Sequence, residues 1–309
     1  MPLRQVNAIA GALQGLDGLP PTLDALHPGQ AVTIMTHGLR FDPLDDAHDP
    51  HTHILSLRPR ACWKAVSWPR HLHLDRPGAG LGIAFGWQAV GPVRLVANRA
   101  LDAGDAMARL IAAIHDRRPD LQINLMAHSL GARVVLRALS QAEEGAVAKV
   151  ILLAGAEYRT RASEAVDSPA GRRAEVLNVS SGANRLFDAL FRLGVTADRV
   201  SDWPVAAGLS RRANWTDLHL DTPESRAALS ALGLRVQPQN HRICHWSTYL
   251  RPGLFPLYRQ ILDPRRPDRL RELTAALEQA ATPPTPSWRR LVSGGDPPHA
   301  GPHLEGARP

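Results

Sequence analysis

The stretch richest in chemistry is Ile123-Asn124-Leu125-Met126-Ala127-His128-Ser129-Leu130-Gly131-Ala132-Arg133, where an apolar run meets a serine set among small residues and then changes to helical spacing. The pattern is that of a nucleophile elbow: a buried strand turns abruptly into a helix, and the serine at the turn projects its hydroxyl above the sheet. The common form is G-x-S-x-G; here Ala127 holds the first small position and Gly131 the last. Small side chains are needed because strand and helix nearly touch beside the serine. Leu121 to Met126 suits a buried parallel strand, and Ala132 to Leu139 continues at helical spacing.

A serine hydroxyl is a weak nucleophile without a base, a group that orients the base, and donors for the oxyanion that develops. Thr36-His37-Gly38-Leu39-Arg40 follows an apolar strand, Ala31 to Thr36, and a glycine-containing loop in that place supplies one oxyanion N–H. Leu39 is the expected donor there, and Leu130, directly after the serine, is the other. The base is expected late in the chain, because the order Ser, acid, His goes with this elbow. His245, in Cys244-His245-Trp246-Ser247-Thr248-Tyr249, is preferred to His241. The acid is expected just beyond a strand at Ala174 to Val179, within Ser180 to Asp188. Asp188 is the first choice and Asn184 the alternative; Asp202, Asp217 and Asp221 are more distant candidates. An asparagine can accept the histidine N–H but offers the imidazolium no full charge. His48, Asp49, His51 and His53 match no familiar zinc spacing and read as a solvated loop, so no metal and no organic cofactor is expected.

The elements that must position these residues alternate in type. Strands are expected at Ala31 to Thr36, Cys62 to Trp68, Leu121 to Met126, Val147 to Leu153 and Ala174 to Val179, with Cys62 buried at the head of its run. A helix is expected over Ala100 to His115, where Met107, Leu110, Ile111 and Ile114 share one face. Such alternation argues for an α/β domain with a parallel sheet covered on both faces and chemistry at the carboxyl ends of its strands. Residues 196–240 read as a cap or insertion in which Trp203 and Trp215 could cover an acyl pocket, and helices are expected at Pro223 to Leu232, Pro252 to Leu262 and Arg265 to Gln279. The single domain should span residues 1–281, followed by a disordered tail rich in Pro and Gly at 282–309.

Composition narrows the partners. The net charge is +7, yet the basic residues are almost all arginine, with Lys64 and Lys149 the only lysines, and they are scattered rather than striped. Nucleic acid is therefore not an expected partner. Cys62 and Cys244 form no disulfide framework, the N-terminus lacks the apolar core of a secretory signal, and no apolar run is long enough to span a membrane, so the cytoplasm is the expected compartment.

Taken together, Thr36-His37-Gly38, Trp68-Pro69, the Ala127-His128-Ser129-Leu130-Gly131 elbow, the Ser180-Ser181 to Asp188 loop and the late His245-Trp246 resemble an α/β-hydrolase of the esterase/lipase type, within a largely uncharacterised bacterial branch of serine hydrolases. The resemblance covers about residues 30 to 262. It implies a mostly parallel central sheet and cleavage of a small-molecule carboxylic ester through an acyl-enzyme on Ser129, with His245 as base. Thioesterases and acyltransferases share the elbow, and so do binding or regulatory proteins that keep the scaffold without turnover.

Overall fold

The computed structural model describes residues 3–199, 201–209, 212–239 and 241–281. The chain opens with a hairpin, β1 (Leu3–Ile9) and β2 (Ala12–Gln14), then a short helix α1 (Leu19–Asp24) and β3 (Ala31–Thr36). A one-turn helix α2 (Trp68–His71) precedes β4 (Leu81–Trp87), the long α3 (Val93–Arg117), β5 (Gln122–His128) and α4 (Gly131–Gln141). Next come β6 (Lys149–Leu153), α5 (Arg159–Asp167), α6 (Pro169–Arg173), β7 (Glu175–Ser180) and α7 (Arg185–Gly194). The described chain closes with β8 (Trp215–His219), α8 (Pro223–Ala231), α9 (Ser247–Leu250), α10 (Leu254–Leu262) and α11 (Arg269–Ala281).

The eight strands form one sheet in the order β2-β1-β4-β3-β5-β6-β7-β8, antiparallel only between β1 and β2. Period-two alternation divides its side chains between two cores. Val32, Ile34, Ile123, Leu125, Val150 and Leu152 face the layer that holds α3 and α4. Met35, Met126, Ile151, Leu153, Leu177 and Val179 face the layer that holds α10 and α11. Being buried on both faces, the central strands read as continuous apolar runs, and for that reason the sequence reveals them.

Three expectations are corrected. Cys62 to Trp68 is not a strand, and Cys62 is exposed. Ser67 instead caps α2, accepting the Arg70 N–H at 3.2 Å, with Pro69 in the first helical turn; that start signal outweighs the apolar run. The strand that pairs beside β3 is β4, whose Gly82, Ala84 and Gly86 hide it from a search for β-branched runs. Within residues 196–240, read as a cap, Trp215 to His219 form β8 of the central sheet; Trp215 is core, whereas Trp203 is half exposed. The tail at 282–309 lies outside the described residues. Among the described residues no helix is long and apolar enough to cross a membrane.

Candidate active site

The carboxyl ends of β3, β5, β7 and β8 converge on one end of the sheet, and each candidate residue comes from the chain that follows one of them, Asp188 from the first turn of α7 and His245 from beyond α8. Ser129 sits between β5 and α4 with φ of +56°, in the left-handed region that a non-glycine residue occupies only when its surroundings hold it there. Its N–H donates to Leu153 O at 3.0 Å, and its carbonyl accepts from Ala132 and Ala156 N–H, both at 2.9 Å. The elbow is thus bolted to β6 on one side and to its own helix on the other.

The β3 loop closes over the serine. A Cβ added to Gly38 would lie 2.6 Å from Ser129 Cβ and 2.9 Å from His128 O, so only glycine allows that approach. One added to Gly131 would lie 2.5 Å from His37 O, which explains the last small position of the elbow. His37 locks this loop. Its Nε2 accepts the Trp87 N–H at 3.1 Å, so the ring proton is on Nδ1 and is donated to Gly38 O at 2.9 Å. Trp87 Nε1 donates in turn to His37 O at 3.1 Å, and the two rings stack. Burial pushes the His37 pKa down to about 3, so the ring stays neutral. Leu130 follows Ser129 directly and Leu39 follows Gly38, and among the described residues neither backbone N–H is paired with a protein acceptor.

His245 lies in the segment between α8 and α9, beyond the end of β8. His128, one residue before the serine, donates from Nε2 to His245 O at 3.0 Å, and the two rings are 4.5 Å apart. Burial lowers the His128 pKa to about 4, and burial followed by the neighbouring His128 holds His245 well below the usual imidazole range. Phe187 stacks on the His245 ring at 4.5 Å. His245 Nδ1 meets Asn184 Oδ1 at 2.6 Å, and Asn184 Nδ2 donates to Asp188 Oδ1 at 2.8 Å. The contact to the imidazole therefore belongs to Asn184, the second choice from sequence. Asp188, the first choice, stands one residue further back. Burial raises the Asp188 pKa to about 6, against the opposing Asn184 hydrogen bond.

Two further residues hold this cluster: Asp221, a distant candidate for the acid, which takes a different part, and Arg251, which the sequence did not single out. Asp221, just past β8, accepts from Ser181 Oγ at 2.9 Å and Gly182 N–H at 2.7 Å, pinning the loop that carries Asn184. Arg251, just past α9, donates to Asp221 Oδ1 at 2.7 Å, so one partly buried ion pair ties the Asn184 loop to the His245 segment. Asp221 is the first acidic residue after the last strand, a signal available once β8 is recognised; Arg251 carries none. Asp202 and Asp217 serve elsewhere: Asp202 accepts the Thr160 N–H and Asp217 the Trp215 indole N–H. His241 is exposed.

The histidine-rich loop also differs from its reading as solvated. His51 and His53 are buried, His51 Nε2 meeting Asn7 Oδ1 at 2.7 Å and His53 packing edge-on against Phe41. Among the described residues no three His, Cys, Asp or Glu side chains are grouped to hold a metal ion.

Residues 96–156, from within α3 to just past β6, match a family described as alpha/beta hydrolase of unknown function (DUF900). No curated protein matches the sequence. Solved structures similar to the chain include a Trichoderma reesei cutinase in complex with a phosphonate inhibitor, at 17% identity and a TM-score of 0.26 over 48% of this chain and 61% of that one. The catalytic core domain of acetyl xylan esterase from Trichoderma reesei aligns at 16% identity and a TM-score of 0.30, over 60% of this chain and 82% of that one. TT1662 from Thermus thermophilus aligns at 15% identity and a TM-score of 0.32, over 67% and 90%. The chain thus spans about three-fifths of the cutinase. The mostly parallel sheet fits the α/β-hydrolase fold, and the segment that matches an alpha/beta-hydrolase family includes the strand, elbow and helix that carry Ser129.

Proposed function

We propose that the protein is a serine hydrolase that cleaves a carboxylic ester through an acyl-enzyme on Ser129. The observation that carries this reading is the strained serine, at φ of +56°, facing Gly38 at the end of a sheet where a histidine is held by an amide that a carboxylate orients. In the reaction, Ser129 Oγ bonds to the ester carbonyl carbon while His245 Nε2 takes its proton. The Leu39 and Leu130 N–H groups stabilise the oxyanion. As the C–O bond breaks, the imidazolium returns the proton to the leaving alcohol, and water repeats the sequence to free the acid. Trp63, Trp246 and Phe187 make ring contacts that lead from exposed surface to His245, which suits an apolar ester.

One observation favours a second reading, a binding or regulatory protein on the same scaffold: the group that meets His245 is an amide, so the imidazolium gains no directly bonded charge. A fluorophosphonate probe separates the two. Labelling of the wild type that is lost in Ser129→Ala supports the enzyme; an unlabelled wild type favours the binding protein.

A further inference from the structure

At the end of the sheet opposite Ser129, where β3 begins, lies a cleft of about 600 Å³. It is formed by the chain before β3, the turn after α2 and the segment around the end of α10. Arg76, Arg259, Arg265, Arg266 and His73 line it, with Asp263 the one carboxylate among its lining residues. That carboxylate is already engaged: Arg265 donates to both of its oxygens at 2.9 Å through the side chain, and again through its backbone N–H at 3.1 Å.

Asp263 also acts at longer range on Arg259 and Arg266, but neither these two nor Arg76 forms an ion pair among the described residues. Arg259 Nη1 donates to His73 Nε2 at 3.0 Å, a bond that requires a lone pair on that ring nitrogen and removes no positive charge. Burial and then the like charge of Arg76 lower the Arg259 pKa, with Asp263 only partly opposing. Among the described residues Arg76 and Arg266 have no carboxylate within ion-pair distance inside the cleft. Asp75 stands beside His73 but does not line the cleft. His73 itself holds φ of +62°, in a turn fixed by His73 N–H to Arg70 O at 2.9 Å and Leu74 N–H to Pro69 O at 2.8 Å. Backbone strain is thus retained where a ring meets Arg259.

We propose that this cleft binds the phosphate group of a phosphorylated small molecule, with Arg76 and Arg259 as its principal ligands and Arg266 at the rim. Like-charged guanidiniums gathered in a concavity repel one another, and a dianion relieves that repulsion at several donors together. The planar guanidinium fork matches phosphate oxygens bidentately, which a single carboxylate charge exploits less fully. The cleft exceeds the size of one phosphate, and Pro77 and Pro264 offer apolar surface to an organic portion.

The test is calorimetric titration of the full chain with inorganic pyrophosphate and, separately, with ATP at physiological ionic strength, where diffuse surface attraction is screened. The wild type should bind at least one of the two probes. Arg76→Gln/Arg259→Gln should weaken that binding at least tenfold, whereas Arg58→Gln/Arg94→Gln, which removes the same charge outside the cleft, should change it less than twofold. The single Arg266→Gln at the exposed rim, which threatens folding least, should weaken binding by a smaller factor. Tighter binding of ATP identifies a nucleotide-like ligand, and binding of pyrophosphate alone identifies an inorganic source; either supports the site. Absence of binding in the wild type, or equal losses in the two double variants, overturns it.

Discussion

Asp188 determines which way round Asn184 sits. A carboxylate only accepts hydrogen bonds, so the contact at 2.8 Å must use the Asn184 amide nitrogen. Asn184 Oδ1 is then turned to His245 Nδ1 at 2.6 Å and can only accept from it. The imidazole proton is thereby placed on Nδ1, which leaves on Nε2 the lone pair that the proposed mechanism requires. The charged residue acts at one remove, setting a tautomer through an amide.

Activity should therefore follow the ionisation of Asp188, whose pKa burial raises to about 6. Below that pH the protonated carboxyl becomes a donor, Asn184 can turn its oxygen towards it, and the amide nitrogen then faces His245 and favours the unproductive tautomer. The kcat/KM for a short-chain p-nitrophenyl ester should rise with pH through a limb near 6. Asp188→Ala should remove that limb and lower the plateau. A limb unchanged in the variant would assign it to another group.

Exchanging the two residues tests what the amide costs. Asn184→Asp with Asp188→Asn places a full charge against His245 and keeps a donor behind it, so kcat should rise on the order of tenfold through better stabilisation of the imidazolium. Asn184→Asp alone sets two carboxyls at hydrogen-bond distance, which must share a proton near neutral pH. Its gain should be smaller and should appear only at higher pH. If the exchange left kcat unchanged, charge at this position would not limit the reaction.

Local signals were legible and long-range ones were not. The elbow could be read because its requirement is steric and falls within five residues, and β3, β5, β6 and β7 because burial on both faces writes them as apolar runs. β4 was missed because its glycines make room: a Cβ on Gly86 would lie 2.4 Å from Asn7 Oδ1, a residue of β1 that sequence proximity does not reveal. The order of Asn184 and Asp188 around His245 depends on how the loop after β7 is pinned. The pin is Asp221 with Arg251, both distant in sequence.

Gly38 should tolerate no side chain. The Cβ of Gly38→Ala would press on Ser129 Cβ and His128 O, and neither can yield, one being fixed in the elbow and the other being backbone. The loop must then withdraw, taking the Leu39 N–H out of reach of the oxyanion. Loss of one oxyanion donor costs roughly 10²–10³ in kcat. The substitution should therefore lower kcat about a hundredfold, and fluorophosphonate labelling of Ser129 should slow in parallel. Wild-type kcat in a folded Gly38→Ala protein would show that this loop does not supply the donor.

Acid should unfold the protein through its buried histidines. Burial lowers the His37 pKa to about 3 and those of His53 and His128 to about 4, whereas the unfolded chain titrates near the ordinary value of 6.5. Below about pH 6.5 the unfolded chain thus takes up protons that the native state refuses, and stability falls as pH falls towards 4. Each such group contributes a slope of up to about 1.4 kcal/mol per pH unit in that window. Asp188 opposes them, because its raised pKa makes the native state the better proton binder between its ordinary value of 3.8 and about 6. Burial also lowers the pKa values of His51, His73 and His245, and it raises those of Glu157 and Asp217 on the side of Asp188; the histidines outnumber the carboxyls, so the urea midpoint should drop from pH 7 to pH 5. His128→Gln keeps an amide donor for His245 O but does not titrate; it should cost some stability at pH 7 while making the dependence on pH shallower by about one proton. An unaltered slope in that variant would show that His128 is not held neutral in the native fold.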